Sequence, residues 1–345
     1  MSDIDLADPV EMIAAARAGD QDAFRALIDP YQRELLVHCY RIVGSLEDAE
    51  DLLQETLLRA WRRLDSFAER APLRAWLYKI ATNAALDSLD RRRRRVLPPA
   101  VAAPAQPEAA PLPPAVETVF WLEPLPDTLI DTRPGFNPEA RYEARESVEL
   151  AFLAALQQLP GRQRGVLILR DVLGWKASEV AALLNTSIPA VNSALQRARS
   201  TMQRLYPTGE PAVVPAVPET PMAALLARYV TAWETADTAA LVALLREDAV
   251  MTMPPLTLWY RGRAAIGWFV GTHLFAGPAR DRFRMFTTAA NGGPAVACYQ
   301  RAADGVYRPA ALHVLTVAGG VIVTLHDFLV SDARLFARFA LPATL

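Results

Sequence analysis

Between Leu97 and Pro138 the chain is so crowded with proline and alanine, as in LPPAVAAPAQPEAAPLPPAV, that it sustains neither a continuous helix nor sheet pairing. Proline removes a backbone donor and holds the chain extended or turned. A second run of this kind, YPTGEPAVVPAVPETP, occupies residues 206 to 221. A chain of 345 residues broken twice in this way folds as separate pieces and not around one core. The expected pieces are 8–97, 141–206 and 221–345, joined by linkers over 98–140 and 207–220.

The first piece carries steady helical periodicity: Ala14 and Ala18, then Phe24, Leu27 and Ile28, then Leu35, Leu36, Cys39 and Ile42, with Gly19 and Gly44 as breaks. Ser45 followed by Asp48 resembles a capping box opening the next helix. Residues 141 to 205 are likewise helical, punctuated by Leu159-Pro160-Gly161. After the second linker the texture changes. One helical stretch, LLARYVTAWETADTAALVALL, precedes β-branched runs at VMTMP, RFRMFTTAAN, AVACYQRA, ALHVLTVA and VIVTLHDFLV. The fold class is therefore multidomain, with two all-α helical domains followed by an α+β domain.

The formal net charge of -2 conceals an asymmetry, since acids dominate the first seventy or so residues while Arg91 to Arg95 form an unbroken basic run. The hydrophobic share is 52%, yet no stretch approaches the roughly 18 uninterrupted apolar residues of a membrane span. The acidic start MSDIDLADPVEM lacks the pattern of a signal peptide, so a soluble, cytoplasmic protein without membrane contact is expected. Cys39 and Cys298 stand alone without CxxC spacing, which points to no disulfide framework, no metal site and no cofactor.

Asp51, Gln54 and Glu55 fall at i, i+3 and i+4 of one helix and share an exposed face, while Leu52, Leu53 and Leu57 turn elsewhere. In the next helix Trp76, Leu77, Ile80 and Leu86 bury one side and leave Lys79, Asn83, Asp87 and the arginines to line another. Trp76 fits a core, whereas Tyr78, Asn83 and Asp87 are harder to explain there. Single-stranded DNA is held by cationic groups for phosphates combined with aromatic rings and polar groups for unpaired bases.

The segment ASEVAALLNTSIPAVNSALQRAR has helix-turn-helix spacing. With Val191 buried, Ala181 lies ten positions earlier, where two helices cross and only a small side chain fits. Asn185 then lands at the turn, where a left-handed backbone is needed and Asn tolerates it. Ser187 caps the second helix and Pro189 sits in its first turn. Pro189, Ala190, Asn192, Ser193, Gln196 and Arg197 are placed to enter a major groove. Asn and Gln suit adenine edges, and Arg suits guanine or phosphate.

DLLQE at Asp51 to Glu55, LRAWLYKIATNAALDSLDRRRRR at 73 to 95, and LPGRQRGVLILRDVLGW before the helix-turn-helix together resemble regions two and four of extracytoplasmic-function sigma factors over about the first 205 residues. The resemblance implies that Asp51, Gln54 and Glu55 dock on the clamp helices of RNA polymerase core enzyme, whose flap is a second contact. It implies that residues 66 to 75 with Tyr78, Lys79, Asn83, Asp87 and Arg91 capture flipped bases of the -10 element. Arg92 to Arg95 then contact phosphates. Ser187, Pro189, Ala190, Asn192, Ser193, Gln196 and Arg197 read the -35 element of promoter DNA. No catalytic residue is implied, because the polymerase makes the bonds. NSALQRAR departs from the commoner threonine- and arginine-bearing start of the reading helix. VFWLEPLPDTLID, at Val119 to Asp131, resembles the linker signature of members that carry an extra C-terminal domain, and Phe120 and Trp121 are aromatics suited to docking.

Residues 222 to 345 resemble a SnoaL-like domain, a helix over a curved sheet. If Gly319-Gly320 form a two-residue turn, Val317 pairs with Ile322, Leu315 with Thr324, and His313 lies opposite His326. Two imidazoles on one face offer acid-base work or a pH-sensitive contact, though inert polar residues at a sheet end are the commoner case. Asp327 takes the face opposite His326, so a catalytic pair of those two needs a bulge. Met251, Met253, Trp259, Trp268 and Phe286 either line an apolar cavity or are ordinary core. His313, His326 and Trp259 are thus the candidate ligand or interface positions, and the third piece leaves room for a small ligand. The resemblance implies a promoter-recognition subunit regulated in cis by its third domain. The alternatives are an isomerase or cyclase domain fused to a sigma module, and a ligand-sensing helix-turn-helix regulator.

Overall fold

A computed structural model describes residues 9–67, 72–89, 94–107, 114–116, 118–130, 147–205, 219–277, 281–330 and 334–345. The chain divides into two compact units, the first of residues 1–94, 129–147 and 155–205, the second of 95–128, 148–154 and 206–345.

The helical unit begins with α1 (Pro9–Arg17), α2 (Gln21–Val43), α3 (Leu46–Arg63) and α4 (Leu73–Leu89). Local chemistry sets their ends. The Asp20 carboxylate accepts from the backbone of Asp22 and Ala23 at 2.9 and 3.0 Å, and α2 stops at Gly44, whose φ of 76° suits a residue without Cβ. Ser45 Oγ then accepts from Asp48 N at 3.1 Å and starts α3. Leu46, Ala49, Leu52, Thr56 and Ala60 form the buried stripe of α3, and Leu77, Ile80, Ala81, Ala84 and Ala85 that of α4.

Farther along the chain come α5 (Leu150–Leu156), α6 (Gly161–Leu167), α7 (Ala177–Leu183) and α8 (Ile188–Leu205), with a π-helical turn at Ile168–Val172 after α6. Val191, Ala194, Leu195, Ala198 and Met202 give α8 a narrow apolar stripe, which leaves the rest of its circumference to solvent.

In the second unit α9 (Glu219–Glu234) and α10 (Thr238–Ala243) precede β1 (Leu245–Thr252), β2 (Trp259–Arg261), α11 (Arg263–Phe269), β3 (Phe283–Ala290), β4 (Gly293–Arg301), β5 (Tyr307–Ala318), β6 (Val321–Leu329) and α12 (Arg334–Arg338). The sheet order is β2-β1-β6-β5-β4-β3, antiparallel throughout except where β1 runs parallel to β6. Tyr229 and Trp233 of α9 and Ile266 and Phe269 of α11 share a core with Met251, Phe283, Leu315 and Leu325 of the sheet. This is the helix-over-sheet arrangement expected of a SnoaL-like domain.

The linker is built into this second unit. Val96 bridges Trp121, Pro126 bridges Ala290 at the end of β3, and Leu122 and Leu125 are both 0% exposed. Trp259 donates its indole N–H to Ala102 O at 2.9 Å, and Ala105 N returns a bond to Trp259 O at 2.8 Å. A proline-rich run is already close to strand geometry, so isolated bridges need little further ordering. What looked like a tether is, over 95–107 and 118–128, part of the domain that follows it.

Candidate nucleic-acid interface

The acidic face of α3 stands out in solvent: Asp51, Gln54 and Glu55 are exposed while Leu52 beneath them is buried. Arg59 pairs with Glu55 one turn on and lies 4.0 Å from Asp87 of α4. Leu58 completes this face at i+7 from Asp51 and is 56% exposed. Sequence pattern missed it, because among the four leucines of DLLQETLLRAW nothing marks which one faces outward.

On α4 the expected strand-capture residues are not equally presented. Asp87 is exposed, Lys79 and Asn83 are half-buried, and Tyr78 is 1% exposed. Its ring lies 4.9 Å from that of His38 and 5.3 Å from that of Trp175, with the Arg74 guanidinium 4.8 Å over its centroid. Burial pushes the Tyr78 phenol above its ordinary range. The expectation of an outward Tyr78 fails for this arrangement because its cover, Trp175, lies far along the chain. Lys79 Nζ reaches Asn185 Oδ1 at 3.4 Å. Trp76 packs on Phe67, ring centroids 5.2 Å apart, as a core aromatic. Arg91 to Arg93 and residues 68–71 of the preceding loop lie outside the described residues. Behind α4, His38 Nε2 and Thr82 Oγ1 are 2.8 Å apart, and burial, reinforced by Arg41 and Arg74, pulls this imidazole down to about 3.

The helix-turn-helix has the anatomy expected. Val191 is 0% exposed, Ala181 is buried at the crossing, and Asn185 adopts φ 48°. Ser187 Oγ accepts from Ala190 N at 3.3 Å, and Pro189 is the second residue of α8. Ser187, Pro189, Ala190, Asn192, Ser193, Gln196 and Arg197 are all exposed and form one continuous polar face.

Arg164 of α6 is 4% exposed and donates to Ile42 O at the C-terminal end of α2, to Gln157 Oε1 at 2.7 Å, to Gln157 O at 3.0 Å and to Leu159 O at 3.2 Å. Carbonyls at a helix C-terminus carry partial negative charge and take the place of a counter-ion. Burial draws this guanidinium down to about 10. Arg41 Nη2 likewise reaches Ser147 Oγ at 2.8 Å.

In the second unit the expected register fails at one point. Val317 pairs with Ile322, but an irregularity next to Thr316 makes Leu315 face Leu325 and His313 face Asp327. The two histidines therefore do not share a face. His326 Nδ1 bonds Thr252 Oγ1 at 2.8 Å on one side of the sheet. His313 Nδ1 bonds Tyr229 Oη at 2.7 Å on the other, 3.8 Å from Asp327 Oδ1. Burial pushes the Asp327 carboxyl up to about 8 and draws His313 down to about 3 and His326 to about 4, so all three are neutral in the folded core near pH 7. Trp259 serves the linker, as described. Met251 and Met253 are core, Trp268 is half-buried, and Phe286, 41% exposed, lines an open groove of about 480 Å³ with Leu226, Val230 and Met285. These residues do not converge on one cavity.

The pH dependence follows in sign. A carboxyl whose folded value exceeds its unfolded 3.8 stabilises fully below 3.8 and loses that contribution as pH rises to about 8. Histidines drawn below 6.5 have the opposite effect, but only below 6.5. Between pH 6.5 and 8 wild-type stability should therefore decline by on the order of 1 kcal/mol. Asp327→Asn should flatten that decline, as urea midpoints across this window would show; an equal slope in both proteins refutes it.

Among the described residues no helix is long and apolar enough to cross a membrane, and no group of three His, Cys, Asp or Glu could hold a metal.

Residues 27–95 match the Sigma-70 region 2 model and residues 149–202 the Sigma-70 region 4 model. The chain is 48% identical over 335 residues to the ECF RNA polymerase sigma factor SigG of Mycobacterium tuberculosis, covering 96% of this chain and 86% of that protein. It is 27% identical to SigW of Bacillus subtilis over 56% of this chain and 93% of that one. The crystal structure of SigJ of Mycobacterium tuberculosis matches with a TM-score of 0.56 at 22% identity, over 92% of this chain and 99% of the other, which is a likeness of fold.

Proposed function

This chain belongs to the extracytoplasmic-function RNA polymerase sigma factors, and we propose that three of its surfaces divide that function between them. As a sigma factor it binds core RNA polymerase, directs it to promoter DNA and starts transcription there. The exposed face of Asp51, Gln54, Glu55 and Leu58 is the contact for the polymerase clamp. The polar side of α4, with Lys79, Asn83, Asp87 and the following Arg91, takes the unpaired -10 strand, and the α8 face from Ser187 to Arg197 reads the -35 duplex. The observation that carries this reading is that α3 and α8 each turn a continuous polar face to solvent with an apolar stripe directly behind it. Exposed polar faces of that kind serve partners, whereas the stripe serves folding.

The third surface acts in cis. Asn291, 3% exposed and left-handed at φ 54°, ties the linker at Leu125 to Val148 within the second unit. Its Oδ1 accepts from Leu125 N at 2.9 Å, its N donates to Leu125 O at 2.9 Å, and its Nδ2 donates to Val148 O at 2.7 Å. Gly292 N adds a bond to Asp127 Oδ1 at 2.8 Å. The C-terminal unit regulates through this segment, where holding or releasing 118–128 changes the tether between the DNA-reading parts. An isomerase or cyclase reading has less support, since substrate would have to reach His313, 1% exposed, and Asp327, 2% exposed.

The test uses core polymerase, the full chain and a pool of genomic fragments. Discrete start sites are expected, and none above core alone would refute the assignment. Gln196→Ala with Arg197→Ala should lower start-site usage about tenfold or more, at roughly 1–3 kcal/mol for each base contact. Mutation of the -35 bases should then matter much less.

A further inference from the structure

Beyond the Ser187 hydroxyl, which is engaged as the helix cap, the first turn of α8 carries no polar side chain. Ile188, Pro189 and Ala190 follow one another there, and all three are exposed. The hydrogen-bonding side chains of the face, Asn192, Gln196 and Arg197, come a turn or more later. Yet the N-terminal end of a reading helix is the part that meets base edges.

Ile188 is the first residue of α8 and is 46% exposed. Single exposed apolar side chains are ordinary on a protein surface, but the place of this one sets it apart. Side chains four apart on a helix stand one above the other, so Ile188, Asn192 and Gln196 make one ridge of the exposed face. Val191, Ala194 and Leu195 occupy the buried side of the same turns, which fixes that ridge outward.

We infer that Ile188 is a specificity-determining residue for the -35 element, seating its side chain against the C5-methyl group of a thymine in the major groove. This rests on the assignment of α8 as the -35 reader. Thymine presents a methyl group in that groove, whereas the edges of adenine, guanine and cytosine there offer only donors and acceptors. An isoleucine pressed on one of those edges leaves a polar group without a partner, which costs affinity, while the methyl group gains by leaving water. The β-branched side chain is stiff at χ1, so little freedom is lost on contact. The ridge also sets the spacing. One helical turn advances about 5.4 Å and successive base pairs are about 3.4 Å apart, so the thymine lies one or two base pairs from the pair that Asn192 meets.

Replacing thymine by uracil removes the methyl group and nothing else, so the contact can be probed on the DNA with the wild-type chain. Core polymerase carrying the full chain is offered promoter fragments in competition, identical except that one thymine of the -35 element is uracil, each thymine being taken in turn. At one position uracil should weaken binding about fourfold, the worth of one methyl group taken out of water. Ile188→Ala, at an exposed site that the fold does not depend on, should weaken binding to the thymine fragment and reduce the uracil penalty at that position to less than about 1.5-fold. An element without thymine, an element with no thymine sensitive to uracil, or an undiminished penalty in Ile188→Ala overturns the inference. An Ile188→Ala loss that is equal on both fragments also overturns it and marks the side chain as a protein contact. Failure of the underlying assignment is seen separately, as a Gln196→Ala, Arg197→Ala protein that still prefers the intact -35 element over a scrambled one by the wild-type ratio.

Discussion

Asp51→Ala combined with Glu55→Ala should lower promoter-specific transcription about a hundredfold while leaving the helical unit folded. Both side chains are exposed and neither supports the core, so the cost to stability stays within roughly 0.5 kcal/mol each. The loss arises in docking. Charged residues at the centre of a protein contact are commonly worth about 2 kcal/mol or more on truncation, and a combined loss of about 3 kcal/mol corresponds to that fold-change. Leu58→Ala should add to it, since a leucine 56% exposed beside those acids is apolar area waiting for cover. Glu55→Ala also frees Arg59, which keeps Asp87 at 4.0 Å as its other acidic neighbour. The measurement is run-off transcription alongside core binding by fluorescence anisotropy, with -35 duplex binding by the free chain as the control. Core binding within threefold of wild type would show that the clamp contact lies elsewhere.

The second large effect is expected at Asn291. Asn291→Ala leaves Leu125 N and Val148 O unsatisfied, at about 1–3 kcal/mol each. It also puts a residue poorly suited to φ 54° there, at about 1 kcal/mol. A loss of about 4 kcal/mol in the C-terminal unit is the sum, with faster proteolysis inside 118–130. Asn291→Gly separates the two causes: it tolerates the backbone, so it should retain about 1 kcal/mol more than Ala while releasing the linker equally. The same two variants should alter transcription, because the tether is then free. Unchanged proteolysis of the linker would show that Asn291 does not hold it.

Much of the helical unit was legible in the sequence because its signals are local. Asn185 announces a left-handed turn, Ala181 and Val191 announce a close helix crossing, and Ser45 with Asp48 announces a helix start; all depend on neighbours within about ten residues. The C-terminal architecture was legible for the same reason, from alternation and from Gly319-Gly320. Non-local features were not. The burial of Tyr78 depends on Trp175, and the docking of 95–107 and 118–128 depends on Trp259 and Asn291, partners that no periodicity connects. A proline-rich stretch has no repeat by which to predict that a sheet will adopt it.

The irregularity next to Thr316 sets the phase of β6. Val323 is the residue left over in the pairing; drawn into the ladder opposite Thr316, it would slip everything after it by one position against β5. Asp327 would then exchange sides with His326, moving a carboxyl out of the interior and an imidazole in opposite His313. In this hairpin one unpaired residue is no defect of the ladder: it decides which proton-binding group the domain keeps away from water.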